Sequence, residues 1–222
     1  MIETGNVALM APLSAGQNLK FSPSGFRAMV PPSAAHRADA YSSDMMDDGE
    51  LRYLAAVALA YQWAPDDLVV EIGTYAGTTA AFVAETLAEA GHLNKVLSID
   101  PFERVSHTRL NPGGKYRRYV RTMRQRGLED RCLPLVAYSH DAAPAVTARI
   151  GLLIIDGDHE HASVSRDLAL YAPKVRSGGF IFLDDHTDTY PGVVRATSEF
   201  VGQDHGFELL HQSYFAILRR NG

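Results

Sequence analysis

Apolar residues recur at Leu51, Leu54, Ala55, Ala58 and Leu59, the spacing of one helix face, behind Asp47 and Asp48, which suit a helix N-terminus. After Pro65 the pattern changes to short apolar runs separated by longer helical stretches: LVVEIG, TTAAFVAETLAEA, KVLSID, YRRYVRTMRQRG, CLPLVAY and GLLIID. A helix over about 162–172, the strand GGFIFLDD and a helix through Val193 to Phe200 continue the series. Strand and helix alternate, which predicts an α/β domain with a mostly parallel sheet. The tail reads FELLHQS and YFAILRR, two strands close enough for a hairpin, which puts an antiparallel strand at the edge. Residues 1–50, rich in Pro, Ser, Ala and Met, keep no steady period and are expected to form an irregular arm or lid beside one domain over 51–222.

A chain of 222 residues with 46 % hydrophobic content suits one domain whose core needs no disulfide. Its single cysteine, Cys132, cannot form an internal bridge, and the opening Met1-Ile2-Glu3 is not a secretory pattern, so a cytoplasmic location is expected. No run approaches the roughly 18 apolar residues of a membrane span. A formal charge of −5 offers no broad basic surface to nucleic acid, and the basic run Lys115 to Arg126 reads as a solvated helix face. Membrane and nucleic-acid partners are therefore not expected. The apolar tail strand and the arm are the segments suited to a homodimer interface.

In an open α/β sheet the ligand lies beyond the carboxyl ends of the strands, so the residues that end each run carry the chemistry. The first run ends in Glu71-Ile72-Gly73-Thr74-Tyr75-Ala76-Gly77-Thr78-Thr79. Gly73 and Gly77 allow a tight turn before a helix, but the G-x-G-x-x-G spacing that seats a pyrophosphate is missing. Asp100, 23 residues beyond Gly77, ends the second run, where a carboxylate can accept hydrogen bonds from both hydroxyls of a ribose. An adenosine-like ligand without phosphates is indicated. Two later runs end in Asp156-Gly157-Asp158-His159-Glu160-His161 and in Asp184-Asp185-His186. Adjacent strand ends lie about 5 Å apart, so Asp156, Asp184 and Asp185 can converge. Their repulsion is relieved by a hard divalent cation, and oxygen ligands suit Mg²⁺ better than zinc. Two other readings stay open: aspartates that merely cap helices or line a solvated mouth, and a transition-metal site that includes His159, His161 or His186.

EIGTYAGTT followed by SIDPF resembles the glycine loop and ribose acid of class I S-adenosylmethionine-dependent methyltransferases, over roughly Leu51 to Arg219. The likeness is nearest to the metal-dependent O-methyltransferases, both the catechol type and the macrocin type that methylates sugars on natural products. It implies a Rossmann-like fold with a seven-stranded sheet. It also implies that Glu71 and Gly73 border the methionine part of the cofactor, with Tyr75, Gly77 and Thr79 along it. Asp100 and Pro101 would then meet the ribose, and Ser139, flanked by Tyr138 and His140, the adenine. Asp156, Asp184 and Asp185 match the Mg²⁺-binding acids of the family, with Asp156 also close to the cofactor. His159 stands three residues beyond Asp156, where the catechol type carries a lysine base, and is the candidate general base; helix capping is its other reading. Tyr75 also fits a loop residue packing on the helix, and Ser139 a turn residue.

Pro191-Gly192-Val193 resembles a turn of the macrocin type, which directs the acceptor towards a sugar or polyol, although a plain turn into the next helix explains it too. The expected activity is S-adenosylmethionine- and Mg²⁺-dependent methylation of a hydroxyl on a small molecule, with a catechol or phenol as the alternative acceptor. The arm and the stretch from Phe102 to Tyr116 are expected to cover the acceptor. An NAD-dependent oxidoreductase would share the fold and Asp100 but gives no reason for the aspartates. A metal-dependent hydrolase leaves the glycine loop unexplained, and a silent cofactor-binding protein leaves the metal site unexplained.

Overall fold

The computed structural model describes residues 30–43, 45–102 and 114–222. The first 29 residues of the expected arm, and most of the stretch from Phe102 to Tyr116 expected as a lid, lie outside the described residues. The elements are, in order, α1 (Pro32–Tyr41), α2 (Asp48–Ala60), β1 (Leu68–Ile72), α3 (Thr78–Glu89), β2 (Val96–Asp100), α4 (Gly114–Arg126) and β3 (Cys132–Val136). There follow the short α5 (Ser139–Ala142), β4 (Ile150–Ile155), α6 (His161–Tyr171), β5 (Val175–Leu183), α7 (Pro191–Val201), β6 (Phe207–Gln212) and β7 (Ala216–Arg220).

The strands form one sheet in the order β3-β2-β1-β4-β5-β7-β6. β1 to β5 are parallel, and β7 lies antiparallel between β5 and β6. The hairpin was expected to leave its antiparallel strand at the edge. The edge instead belongs to β6, because Ala216, Ile217 and Leu218 of β7 are fully buried while β6 is mostly half-exposed.

Alternation along the strands divides the core into two layers. Leu152, Ile154, Phe180 and Phe182 pack on one face with α1 to α4, and Leu153, Ile155, Ile181 and Leu183 on the other with α6 and α7. Burial on both faces is the reason these strands read as unbroken apolar runs. The chain leaves β1 towards β2 and β3 on one side and returns through β4 and β5 on the other, so the β1/β4 junction is the switch point where such sheets open a crevice.

α1 was not expected. Ala34, Ala38 and Tyr41 bury one side of it, with Tyr41 edge-on to Phe82 at 5.6 Å, so this part of the arm is core. α2 starts behind Asp47, which forms a capping box with Glu50. The run CLPLVAY stops being strand at Val136, and Ser139, expected to end it, opens α5. Among the described residues no helix is long and apolar enough to cross a membrane.

Candidate active site

The turn after β1 is built around one carboxylate. Asp100, at the end of β2, accepts the backbone N–H of Thr74 at 3.0 Å, of Tyr75 at 3.1 Å, and of Phe102. Three donors leave it room for further acceptance, since a carboxylate has about four lone-pair sites. Gly73 has φ +81° and sits so close to β4 that a Cβ would lie 1.9 Å from the Asp156 carbonyl oxygen. Gly77 caps α3 in the left-handed region, where a Cβ would meet Met123 of α4 at 2.5 Å. Each glycine is thus required by close approach as well as by φ.

The remaining residues expected around a cofactor are placed as follows. Glu71 is buried beneath the turn, accepts the Ser98 hydroxyl at 2.9 Å, and is pushed up to about 7 by burial against opposing hydrogen bonds from Thr74 and Ser98. Tyr75 has φ +47°, and its hydroxyl accepts from Arg118 of α4 at 2.6 Å. Thr79 donates to the Met46 sulfur at 3.7 Å. Pro101 is half-exposed beside Asp100. Ser139 lies beyond β3, where its carbonyl accepts the Tyr171 hydroxyl at 2.6 Å and Asp167 hydrogen-bonds it.

On the other side of the switch point the ladders run one residue past the strands. Asp156 N–H donates to the Ile72 carbonyl at 2.9 Å, and Asp184 N–H to the Ile155 carbonyl at 3.0 Å. This extension brings the acids of β4 and β5 side by side. His159 Nε2 stands 3.4 Å from Asp156 Oδ1 and 3.3 Å from Asp185 Oδ2, and ligand-type atoms of these three residues all lie within 4.8 Å of one another. Both His159 (φ +61°) and Asp185 (φ +54°) adopt the left-handed conformation. Backbone from the next turn supports the first of these: a Cβ on Gly192 would lie 2.5 Å from the His159 carbonyl oxygen. The ring of Tyr190 meets His159 edge-on at 4.5 Å.

Asp184 lies outside that close group. Its Oδ1 accepts the Asp185 N–H at 2.9 Å, and the carboxyl lies beside that of Glu50 of α2. Of the other histidines near the acids, His161 pairs with Glu199 at 2.8 Å and His186 Nδ1 faces the Ser213 carbonyl at 3.1 Å. Neither therefore joins His159. Asp158 accepts Glu160 N–H at 3.1 Å and the Ser163 hydroxyl at 2.8 Å, which ties it to the start of α6.

Crowding sets the electrostatics. Burial, helped by the charges of Glu71 and Asp185 and opposed by His159, pushes Asp156 up to about 7. Burial and the charge of Asp156 push Asp184 up to about 7, and burial with the charge of Asp184 pushes Glu50 up to about 9. Burial lowers the proton affinity of His159, but its contacts with Asp156, Asp185 and Asp158 outweigh this and raise its pKa above the ordinary histidine value. A group of close, partly desolvated carboxylates with an imidazole between them is a donor set that fits a divalent cation. Glu50 was missing from the expected site. The Asp47-x-x-Glu50 spacing marks it as a capping glutamate, and its contact with Asp184 leaves no local trace in the sequence.

A parallel sheet that reverses at β1/β4, with a glycine turn and an acid on one side and acids on the other, has the class I methyltransferase fold. The chain belongs to the methyltransferase domain family, whose model it matches over residues 70–186, more than half of its length. A protein of Acanthamoeba polyphaga mimivirus, itself uncharacterized, is 27 % identical over 154 residues, 64 % of this chain. The chain spans 63 % of the length of that relative. Solved structures share the fold at low identity. The O-methyltransferase NovP is 22 % identical with a TM-score of 0.57, over 71 % of this chain and 73 % of its own. CalS11, a TDP-rhamnose 3'-O-methyltransferase of calicheamicin biosynthesis, is 16 % identical with a TM-score of 0.58, over 84 % and 79 %. The S-adenosylhomocysteine-bound methyltransferase PaMTH1 of Podospora anserina is 12 % identical with a TM-score of 0.59, over 87 % and 89 %.

The raised value of Glu71 has a signed consequence. Its proton is held more tightly in the folded state, so its stabilising contribution is complete below the ordinary glutamate value and is lost as pH rises through about 7. In EDTA, Glu71→Gln is expected to reduce the fall in Tm between about pH 5 and 8 by roughly 5 °C relative to the parent. Calorimetric melts across that range check this, and an equally steep fall in the variant would contradict it.

Proposed function

We propose that the chain transfers the methyl group of S-adenosylmethionine to a hydroxyl oxygen of a small molecule, a sugar or polyol on a natural-product scaffold, with a divalent cation such as Mg²⁺ at the β4/β5 acids. The observation that carries this reading is the meeting of Asp156, His159 and Asp185 across the switch point from the Gly73 turn and Asp100. The sugar or polyol rests on the Pro191-Gly192-Val193 turn beside His159 and on the activity of CalS11, a TDP-rhamnose 3'-O-methyltransferase of the same fold.

The residues fit both groups. At Gly73 the space a Cβ would fill is bounded by Asp156 backbone, so the turn lies flat against β4, and Asp100 keeps acceptor capacity for a ribose. Asp156 and Asp185, whose ligand-type atoms meet, would hold the cation with Asp184 beside them, and its contribution would be to lower the pKa of an acceptor hydroxyl and fix its direction. S-adenosylmethionine supplies a methyl group on a sulfonium, already activated for displacement. What the protein must add is orientation, with the acceptor oxygen about 3 Å from the methyl carbon. Asp100 anchors the turn through the N–H groups of Thr74 and Tyr75, and the ring of Tyr190 stands edge-on to His159. His159 Nε2, which points between Asp156 and Asp185, takes the proton of the acceptor hydroxyl. Bound between the Gly73 turn and Asp100, the sulfonium would supply the methyl group, with its thioether as the leaving group.

The two halves of the site should separate experimentally. Calorimetric titration with S-adenosylhomocysteine and with Mn²⁺ is expected to show Asp100→Ala losing at least tenfold in affinity for the nucleoside with little change for metal. Asp185→Asn is expected to show the reverse. Equal loss of both ligands in both variants, or binding of NAD⁺ in place of the adenosyl compounds, would contradict the reading. For the base, kcat of the parent should rise with pH through the ionisation of one group as His159 loses its proton. His159→Ala should lower kcat and lose that limb, whereas an unchanged profile would remove His159 from proton transfer.

A further inference from the structure

We infer that Lys115, Arg118 and the Tyr75 hydroxyl form a binding site for an oxyanion, a carboxylate or phosphoryl group carried by a ligand of the Gly73 turn. This rests on the reading of that turn as the place where an adenosyl compound binds. The anion is either the carboxylate of that compound's amino-acid tail or a charged group on the acceptor. Both cations belong to the start of α4, and Tyr75 is the middle residue of the turn from Gly73 to Gly77.

The two cations converge on one ring. Lys115 Nζ lies 5.5 Å and the Arg118 guanidinium carbon 5.8 Å from the centre of the Tyr75 ring, and Arg118 Nη1 donates to the Tyr75 hydroxyl oxygen at 2.6 Å. That hydroxyl keeps its own hydrogen, which meets no acceptor among the described residues. The backbone of Tyr75 is held in place, since its N–H is bound to Asp100 at 3.1 Å. An ammonium, a guanidinium and a phenol O–H are all donors, and donors alone complement an oxyanion. Contact with the ring does not account for the pair, because a cation over an exposed phenol gains little more than a like charge one helical turn away costs. Nor is the charge cancelled nearby. Among the described residues no carboxylate pairs with Lys115 or Arg118, whereas further along the helix Arg124 pairs with Glu129 at 3.8 Å and Arg126 with Glu85 at 3.0 Å. Asp100, which holds the turn, already accepts three N–H groups. Arg117 and Arg121 are exposed and meet no ring or acid among the described residues, so the site is the part of the basic run that faces the turn. On a chain of formal charge −5, with acids gathered at β4 and β5, two uncompensated cations beside the turn make a local positive field that selects an anion.

Calorimetry on the full chain uses three probes. These are S-adenosylhomocysteine, 5'-methylthioadenosine, which keeps the nucleoside and the sulfur but lacks the carboxylate-bearing tail, and pyrophosphate, titrated with and without saturating S-adenosylhomocysteine. If the carboxylate of the tail is the anion, Arg118→Ala and Lys115→Ala are each expected to lose about tenfold or more for S-adenosylhomocysteine. If the acceptor brings the anion, the same loss falls on pyrophosphate. In both cases 5'-methylthioadenosine stays within twofold of the parent, and Arg118→Glu loses more than Arg118→Ala. Affinity for the anionic probe also falls more steeply with added NaCl in the parent than in the variants. Retention of S-adenosylhomocysteine and pyrophosphate within twofold in Arg118→Ala and Arg118→Glu would overturn the proposal. So would an equal loss of 5'-methylthioadenosine, which would mean that Arg118 only holds the turn, or a parent that takes both adenosyl compounds alike and no pyrophosphate. If the parent binds neither adenosyl compound, the cofactor reading falls, and pyrophosphate alone decides the site: bound by the parent and lost in Arg118→Glu it stands, otherwise it falls.

Discussion

Like charges brought together at the ends of two neighbouring strands are the constraint on which the rest of this structure turns. Two carboxylates 4 Å apart repel by about 4 kcal/mol at the effective dielectric of a protein surface, and burial adds to that. Asp156 and Asp184 answer by holding protons up to about 7, Glu50 by holding one up to about 9, and His159 by placing an imidazole between Asp156 and Asp185. Each of these brings positive charge to the crowded acids.

Backbone strain is concentrated in the same place. The non-glycine residues with positive φ among those described are Tyr75, Phe102, His159 and Asp185, and they follow β1, β2, β4 and β5 respectively. Such conformations cost about 1 kcal/mol or more each and persist where surrounding contacts over-determine them. Here the contacts are visible: Asp100 binds the N–H groups of Tyr75 and Phe102, Gly192 packs on the His159 carbonyl, and Asp184 accepts the N–H of Asp185. The acids that crowd the site also hold the bends that aim it.

Much of this was legible in the sequence because it is local. Unbroken apolar runs marked the central strands, and their polar last residues marked the site, so Gly73, Gly77, Asp100, Asp156 and Asp185 all lie where the runs stop. What was hidden depends on packing between distant elements. α1 buries itself through Ala34, Ala38 and Tyr41, and alanines give too little apolar contrast to reveal a helical period among prolines and serines. Ser139 lies past the point where β3 ends because Tyr171 and Asp167 of α6 hold it in a turn of helix. The three aspartates read as an equal set divide in space, since Asp184 is drawn to Glu50 while His159 joins Asp156 and Asp185. Glu50 itself could be read only as a cap, because its second partner is more than a hundred residues away.

The claim at the centre is that these acids exist to hold a cation beside an adenosyl ligand. A crystal grown with Mn²⁺ and S-adenosylhomocysteine, measured at the manganese absorption edge, tests it directly. The prediction is an anomalous peak bonded to oxygens of Asp156 and Asp185, with nucleoside density between the Gly73 turn and Asp100. Nucleoside in place with no anomalous peak at the acids, at saturating Mn²⁺, would contradict it.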